Sequence, residues 1–187
     1  MTIKNIYSLL RIDDLFDSLK GAAVFSNNDL RSGYHQVRIK EEDIYKTTFR
    51  TRYGNYELVV VPFGLTNSLA TFMCWMSSVL CPCLDNFGIV RIDDILVYCN
   101  KMEEHIEHLA TIFRLLREDK LYAKIINCSF FQTKLHYSGH VVSKEGIVVG
   151  PEKIRAIMDS VAPKSVDEVR CFMGLVGYYR RFIKNFL

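Results

Sequence analysis

The order of segments along this chain predicts an α+β fold with a mostly antiparallel sheet. Short runs of β-branched and aliphatic residues come in pairs joined by tight turns, and stretches of helical spacing separate those pairs. Nowhere does strand alternate regularly with helix, as a doubly wound parallel sheet requires. With 187 residues, 49% of them hydrophobic and 24% charged, the chain can bury a sizeable core and suits one domain with an appendage.

The first segment, Arg11-Ile-Asp-Asp-Leu-Phe-Asp-Ser-Leu-Lys-Gly21, reads as a short helix. Acids occupy its first turn, Leu15, Phe16 and Leu19 form an apolar side, and Gly21 stops it. Ala22 to Leu30 is a strand with Asp29 at its polar C-terminal end. Arg31 to Gln36 is turn-rich, and Lys46–Arg52 with Tyr56–Val61 predicts a hairpin around Tyr53-Gly54-Asn55. Pro62-Phe63-Gly64 breaks that strand. Leu69, Phe72, Met73, Met76 and Leu80 share one face of a helix running from about Asn67 to Leu80. Asn100 followed by Glu103 resembles a capping box opening a helix with Ile106, Leu109, Phe113 and Leu116 inward. The run Glu103-Glu-His-Ile-Glu-His108 is then a solvated face, because no third metal ligand is placed. Lys134 to Val142 reads as strand, Lys144-Glu-Gly146 as a turn and Pro151 to Met158 as a short helix. Ser165 with Glu168 caps a last helix through Cys171, Leu175 and Tyr178.

A balance of 24 Lys+Arg against 21 Asp+Glu, net +3, neither establishes nor excludes a nucleic-acid partner. The six cysteines form no CxxC pair and read as reduced thiols, most of them in apolar runs where a thiol packs as a small hydrophobe. No apolar run approaches the ~20 residues that span a bilayer, and the N-terminus lacks a signal-peptide layout. The expectation is a soluble intracellular protein with no membrane partner, its compartment open.

The chemistry centres on Gly88 to Tyr98, where Asp93 and Asp94 fall at the turn of a tight hairpin. Hairpin turns favour Asn-Gly or Asp-Gly, since positive φ is cheap there. Two adjacent carboxylates without the glycine are comfortable only in open water or beside a cation. Asp29 is the natural third carboxylate. Three such groups converging could hold two Mg²⁺ ions, which prefer oxygen ligands and serve phosphoryl transfer. Ordinary solvated turn residues are the alternative reading. Arg31, Arg38, Lys40, Lys46, Arg50 and Arg52, interleaved with Tyr45, Phe49 and Tyr53, suit either a nucleic-acid backbone or a solvated strand face.

Four stretches appear in a telling order: Phe25-Ser-Asn-Asn-Asp-Leu-Arg-Ser-Gly-Tyr-His-Gln36, Val61-Pro-Phe-Gly-Leu-Thr-Asn67, Ile92-Asp-Asp-Ile-Leu-Val-Tyr98 and Gly139-His-Val-Val-Ser143. Together they resemble the reverse transcriptase of gypsy-type LTR retrotransposons, specifically a plant-type element, over almost the whole chain. The resemblance implies a polymerase palm, a ferredoxin-like or RRM-like antiparallel sheet packed on helices, over residues 1–143. It implies a helical thumb or connection segment over 144–187. It implies RNA-directed DNA polymerase activity with Mg²⁺ (or Mn²⁺), two ions, on an RNA or DNA template with primer and dNTP. Asp29, Asp93 and Asp94 become the catalytic metal ligands, with the Leu30 carbonyl as a further oxygen. Tyr34 becomes the gate beneath the sugar, Phe63 and Gly64 lie against the nucleotide, and Arg91, Gly139 and His140 face the primer.

The chain departs from that family pattern at Arg91, where an aromatic is usual, at Ser68-Leu69, where Ala-Pro is common, and at Asn127, where a Lys precedes Cys128. The resemblance also implies a fragment, with fingers truncated and ribonuclease H beyond its end, both normally part of the same polyprotein. A catalytically dead retrotransposon remnant, at most a weak nucleic-acid-binding module, is the alternative expectation.

Overall fold

The computed structural model describes residues 3–5, 7 and 17–186. A central four-stranded sheet is built from β1 (Val24–Asp29), β4 (Gly88–Arg91), β5 (Asp94–Cys99) and β6 (Ser129–Gln132). Its order is β4-β5-β1-β6, and all three pairings are antiparallel. β2 (Phe49–Thr51) and β3 (Gly54–Tyr56) form a separate exposed hairpin. β7 (Lys134–Tyr137), β8 (His140–Ser143) and β9 (Gly146–Val149) form a second antiparallel sheet. The helices are α1 (Ser68–Val79), α2 (Met102–Glu118), α3 (Pro151–Met158) and α4 (Val166–Tyr178).

The period-2 geometry of a strand explains how one short sheet serves two cores. On one face of β5, Ile95 and Val97 pack with Val90 against Phe72, Met73 and Met76 of α1 and Leu109, Ile112 and Leu116 of α2. On the other face, Leu96 and Tyr98 pack with Phe25 and Ile89 against Leu135, Tyr137 and Val142 of the second sheet. Burial on both sides is why Ile95 to Tyr98 is an unbroken apolar run rather than an alternating one.

The α+β expectation agrees with this architecture, and helix 67–80 is α1 with Asn67 and Leu80 as its caps. Several expectations need correction. The 11–21 helix lies outside the described residues except for its last turn, which Gly21 ends with φ of 88°. The 46–61 hairpin is much shorter, because Glu41–Thr47 is a 3-10 helix and only Phe49–Thr51 pairs with Gly54–Tyr56. Lys134 to Val142 is a hairpin turning at Ser138-Gly139, where φ is positive at both residues. This is the twist a two-residue connection needs. The N-cap of α2 is Lys101, without a side-chain cap.

The inward face of α2 is also rotated from the expected one. Ile106 and Phe113 are exposed, whereas His105 and Ile112 are buried. His105 is no surface residue: Nε2 lies 2.7 Å from Ser26 Oγ and Nδ1 lies 3.1 Å from Cys99 Sγ. Ser26 Oγ also accepts from the Phe131 N–H at 3.0 Å. A histidine can enter this core because both ring nitrogens find partners there, and burial pushes its pKa down. His108 stacks on Phe87 with ring centroids 3.9 Å apart.

Asn28 is the exception to this satisfaction. It is 0% exposed, its Oδ1 has no hydrogen-bond partner, and its amide donates only a long 3.4 Å bond to Ile95 O. A buried, half-satisfied amide costs about 1–3 kcal/mol. Replacement of Asn28 by Val or Leu is therefore expected to raise stability by about 1 kcal/mol, or roughly 2–4 °C in Tm for a domain of this size. Thermal unfolding of the variant measures it.

Candidate functional site

The site begins with a register. β1 and β5 pair so that Asp29 stands directly opposite Asp94, and β4 pairs with β5 so that Arg91 stands opposite Asp94 on the other side. Arg91, Asp94 and Asp29 therefore form one cross-strand row on the face turned toward the second sheet. Like charges directly opposite one another are destabilising. This row joins two carboxylates with one guanidinium at its end.

The hairpin itself differs from the expected Asp-Asp turn. Because Arg91 pairs with Asp94, the two-residue turn is Ile92-Asp93, and Asp94 is the first residue of β5. Ile92 has φ of 56°, a conformation that costs an L-residue roughly 1–2 kcal/mol and is least tolerable for a β-branched one. The surroundings hold it there. The Ile92 N–H donates to Met73 Sδ at 3.2 Å, and the Asp93 carbonyl accepts the Leu30 N–H at 2.9 Å. Backbone strain of this kind, over-determined by its neighbours, is characteristic of functional sites.

Each carboxylate has a distinct environment. The Asp93 Oδ1 is buried without a hydrogen-bond partner. Burial, with the charges of Asp29 and Asp94, pushes the Asp93 carboxyl up to about 6. Burial also raises Asp94; its hydrogen bond from Asn27 works against that rise, Asp29 adds to it, and Arg91 opposes it. The Asn27 amide donates to Asp94 Oδ1 at 3.1 Å. The Asn127 amide donates a short hydrogen bond to Asp29 Oδ2. Among the described residues, no three His, Cys, Asp or Glu side chains are gathered closely enough to hold a metal ion.

Next to the carboxylates lies an aromatic floor. Tyr34 sits in a 3-10 turn, Gly33–Gln36, entered through Ser32 at φ 50°. Its buried ring stacks on Phe72 at 4.9 Å and meets Phe63 at 4.7 Å. Burial and then the charge of Asp93 push its hydroxyl pKa up. Phe63 is exposed, and Gly64 takes φ of 93° beside it. Tyr34, Phe63 and Asp93 are thus brought together from three separated stretches.

Gly139 and His140 lie on the second sheet. The Gly139 carbonyl accepts the Gly150 N–H at 2.9 Å. The His140 ring is buried among Tyr178, Tyr179 and Phe182, at 5.3–5.9 Å between centroids. Arg91 bears electrostatically on Tyr137, His140 and Tyr179, which places its charge between the carboxylate row and this aromatic cluster.

Sequence reasoning missed three contributors. Asn27 and Asn127 hold carboxylates; the signal for Asn27 was a polar pair, Asn27-Asn28, inside a strand where Asn is disfavoured. Gly33 was read only as a turn residue. A Cβ there would run into the Asp93 carboxylate and stand 2.8 Å from Phe72 Cζ, so glycine is required for the close approach of Asp93.

Comparison with known proteins shows the family and the fold. Residues 1–142 match a family model described as "Reverse transcriptase (RNA-dependent DNA polymerase)". The chain is 36% identical over 186 residues to "Retrovirus-related Pol polyprotein from transposon 297" of Drosophila melanogaster, covering 100% of this chain and 18% of that protein. It is 53% identical over 123 residues to "RNA-directed DNA polymerase homolog" of Oenothera berteroana, covering 64% of this chain and 84% of the relative. The fold matches a foamy viral protease-reverse transcriptase solved in complex with double-stranded DNA, with a TM-score of 0.88 at 20% identity over 98% of this chain and 32% of that one. The chain spans about a fifth of the length of the Pol polyproteins it matches, 18% for each of the first three.

A testable consequence concerns the metal-free protein. A carboxyl whose pKa rises from 3.8 to about 6 on folding binds its proton more tightly in the native state. Its ionisation therefore removes stability as pH rises through that window. Asp93→Asn is expected to stabilise the metal-free protein at pH 7.5 by about 1 kcal/mol, after discounting for solvent screening of a half-buried group. The advantage over wild type should shrink below about pH 6 and vanish near pH 4. Paired melting curves across that range measure it.

Proposed function

Because the chain belongs to the reverse transcriptase family, we propose that it carries the nucleotidyl-transfer palm of an RNA-directed DNA polymerase, related to the Pol polyproteins of gypsy-type transposons. The single observation that carries this reading is the strained Ile92-Asp93 turn, which sets an unpartnered Asp93 oxygen beside the Asp29–Asp94 pair. The family generally uses divalent metal ions, and the donor chemistry suits them: the groups are carboxylates, their charges repel, and one buried oxygen lacks any partner. The three side chains do not stand as a closed ligand set here, so on this proposal an ion draws them together. We assign two Mg²⁺ (or Mn²⁺) to Asp29, Asp93 and Asp94, with the Leu30 carbonyl as a further ligand. Such ions, when bound, offset phosphate charge and favour the attacking alkoxide.

The reaction assigned to the site joins the 3′-oxygen of a primer to the α-phosphorus of a dNTP. The P–O bond to the leaving pyrophosphate breaks as the new one forms. The chain's own residues contribute position and exclusion. The Tyr34 ring, backed by Phe72, is a fixed floor on which a 2′-hydroxyl has no room. Phe63 and the Gly64 backbone are suited to lie against the incoming nucleotide. Arg91, Gly139 in the β7–β8 turn and His140 at the start of β8 are assigned to the primer side, with His140 acting through its backbone, since its ring is buried. The exposed hairpin supports a template strand: Phe49 stacks on Tyr56 at 5.9 Å and Arg52 lies 4.6 Å over Tyr53.

β9 continues the sheet of β8 across residue 143, so the division proposed there is one of role and not of architecture. We assign 1–143 to the palm with partial fingers. Residues 144–187 are assigned to a thumb or connection segment, with further fingers and ribonuclease H supplied by the rest of a polyprotein. No helix among the described residues is long and apolar enough to cross a membrane. A second reading, a catalytically dead remnant that binds nucleic acid weakly, is favoured by one observation: Arg91 occupies the carboxylate row opposite Asp94.

Primer extension on RNA and DNA templates, with Mg²⁺ or Mn²⁺, separates the two readings. Extension is expected, and Asp93→Asn should reduce it at least about a hundredfold, a barrier change of ~2.7 kcal/mol. Absence of extension by folded wild-type protein supports the remnant. Independently of overall rate, Tyr34→Ala is expected to raise the ratio of ribonucleotide to deoxynucleotide incorporation by roughly 10–100-fold.

A further inference from the structure

We propose that Asn27 and Asn127 are positioning residues whose side-chain amides hold the Asp94 and Asp29 carboxylates in the orientation from which the site takes up a divalent cation. The inference rests on the three-aspartate reading above and extends it to two residues outside the ligand set.

The two amides approach the carboxylate pair from different elements. Asn27 lies on β1 two residues before Asp29 and reaches diagonally across the strand pair to Asp94 Oδ1 at 3.1 Å. Asn127 closes the 3-10 turn Ile125–Asn127 and donates to Asp29 Oδ2. That turn is itself pinned to the site. The Lys124 N–H donates to the Asp29 carbonyl at 2.8 Å, and the Asn127 N–H donates back to Lys124 O at 2.9 Å. Asp29 is thus gripped at its backbone and its side chain by one short segment. Among the described residues, no other side chain donates a hydrogen bond to either carboxylate.

Asn27 holds this orientation at a cost. Its Oδ1 is buried with no partner. An amide with nothing at stake would turn to satisfy its oxygen, but turning it here would aim that oxygen at the Asp94 carboxylate. A buried unsatisfied acceptor is costly, and it is the Asn27 contact to Asp94 that this orientation keeps. Asn28, the next residue, carries an orphaned oxygen without touching a carboxylate, which separates the purposeful case from the merely costly one.

The chemistry of the donor explains why an amide suits the role. A lysine or arginine at either position would add a positive charge and compete with a cation for the carboxylates. An amide fixes a carboxylate's rotation and leaves its charge in place. One oxygen of Asp94 and one of Asp29 are held, while their second oxygens and the unpartnered Asp93 Oδ1 remain for a cation. Hydrogen-bond partners of metal-binding carboxylates typically contribute 10–100-fold in affinity.

The test titrates wild-type protein and the variants Asn127→Leu, Asn127→Gln, Asn27→Val and Asn27→Gln with Mn²⁺, reading free Mn²⁺ by electron paramagnetic resonance. Melting curves without metal accompany each titration. The Leu and Val variants are expected to bind Mn²⁺ roughly 10–100-fold more weakly, with Gln recovering most of the loss because it keeps the donor. Asn127 is exposed, so its variants keep the test decisive if an Asn27 variant fails to fold. Unchanged or tighter Mn²⁺ binding by Asn127→Leu overturns the positioning role and leaves the three-aspartate reading standing. Equal weakening by Leu and Gln also overturns it, since the donor would not matter. No Mn²⁺ binding by wild type overturns the metal reading itself.

Discussion

The antiparallel pairing of β1 with β5, in the register that sets Asp29 opposite Asp94, governs most of what this molecule presents. A slip of one residue would send every side chain of β1 to the other face. Phe25 would leave the core it shares with Leu96 and Tyr137, and Ser26 would leave His105. The repulsion between two opposed carboxylates is therefore carried by the burial of both strand faces. Hydrophobic packing fixes the register, and the register fixes the charges.

The same logic explains the turn between β4 and β5. Ile92 is a poor choice for positive φ, and a glycine would be easier on the backbone. Its side chain is half-buried against the helix-side core, however, and its N–H finds the Met73 sulfur. Packing thereby holds a strained backbone that pushes Asp93 toward Gly33, the one residue type that leaves space for it. Asn27 and Asn127 act at the other two carboxylates. The site is assembled from strain, close approach and amide contacts, each set by a different element.

Much of the fold was legible in the sequence because its signals are local. The α1 helix follows from the spacing of Phe72, Met73, Met76 and Leu80, and Ser165 caps α4 through the Glu168 N–H at 3.2 Å as its sequence suggests. The four ordered motifs pointed to the reverse transcriptase family that the comparison shows. What escaped was non-local. His105 and His108 looked like a solvated pair because their partners, Ser26, Cys99 and Phe87, come from other elements. The hairpin at 138–139 is an exception, since its Ser138-Gly139 pair is a local turn signal inside a segment read as one strand. The turn at Ile92-Asp93 was displaced by one residue, since two acids advertised a turn more loudly than the register that decides it.

Everything proposed for this chain's chemistry depends on Asp29, Asp93 and Asp94 forming one divalent-cation site. Anomalous diffraction from crystals of this chain grown with Mn²⁺ tests it most directly. Anomalous peaks are expected within coordination distance of all three carboxylates, roughly 2.0–2.3 Å for such oxygen ligands. A well-ordered structure in the same Mn²⁺ with no peak there, or with Mn²⁺ held only elsewhere, would contradict it.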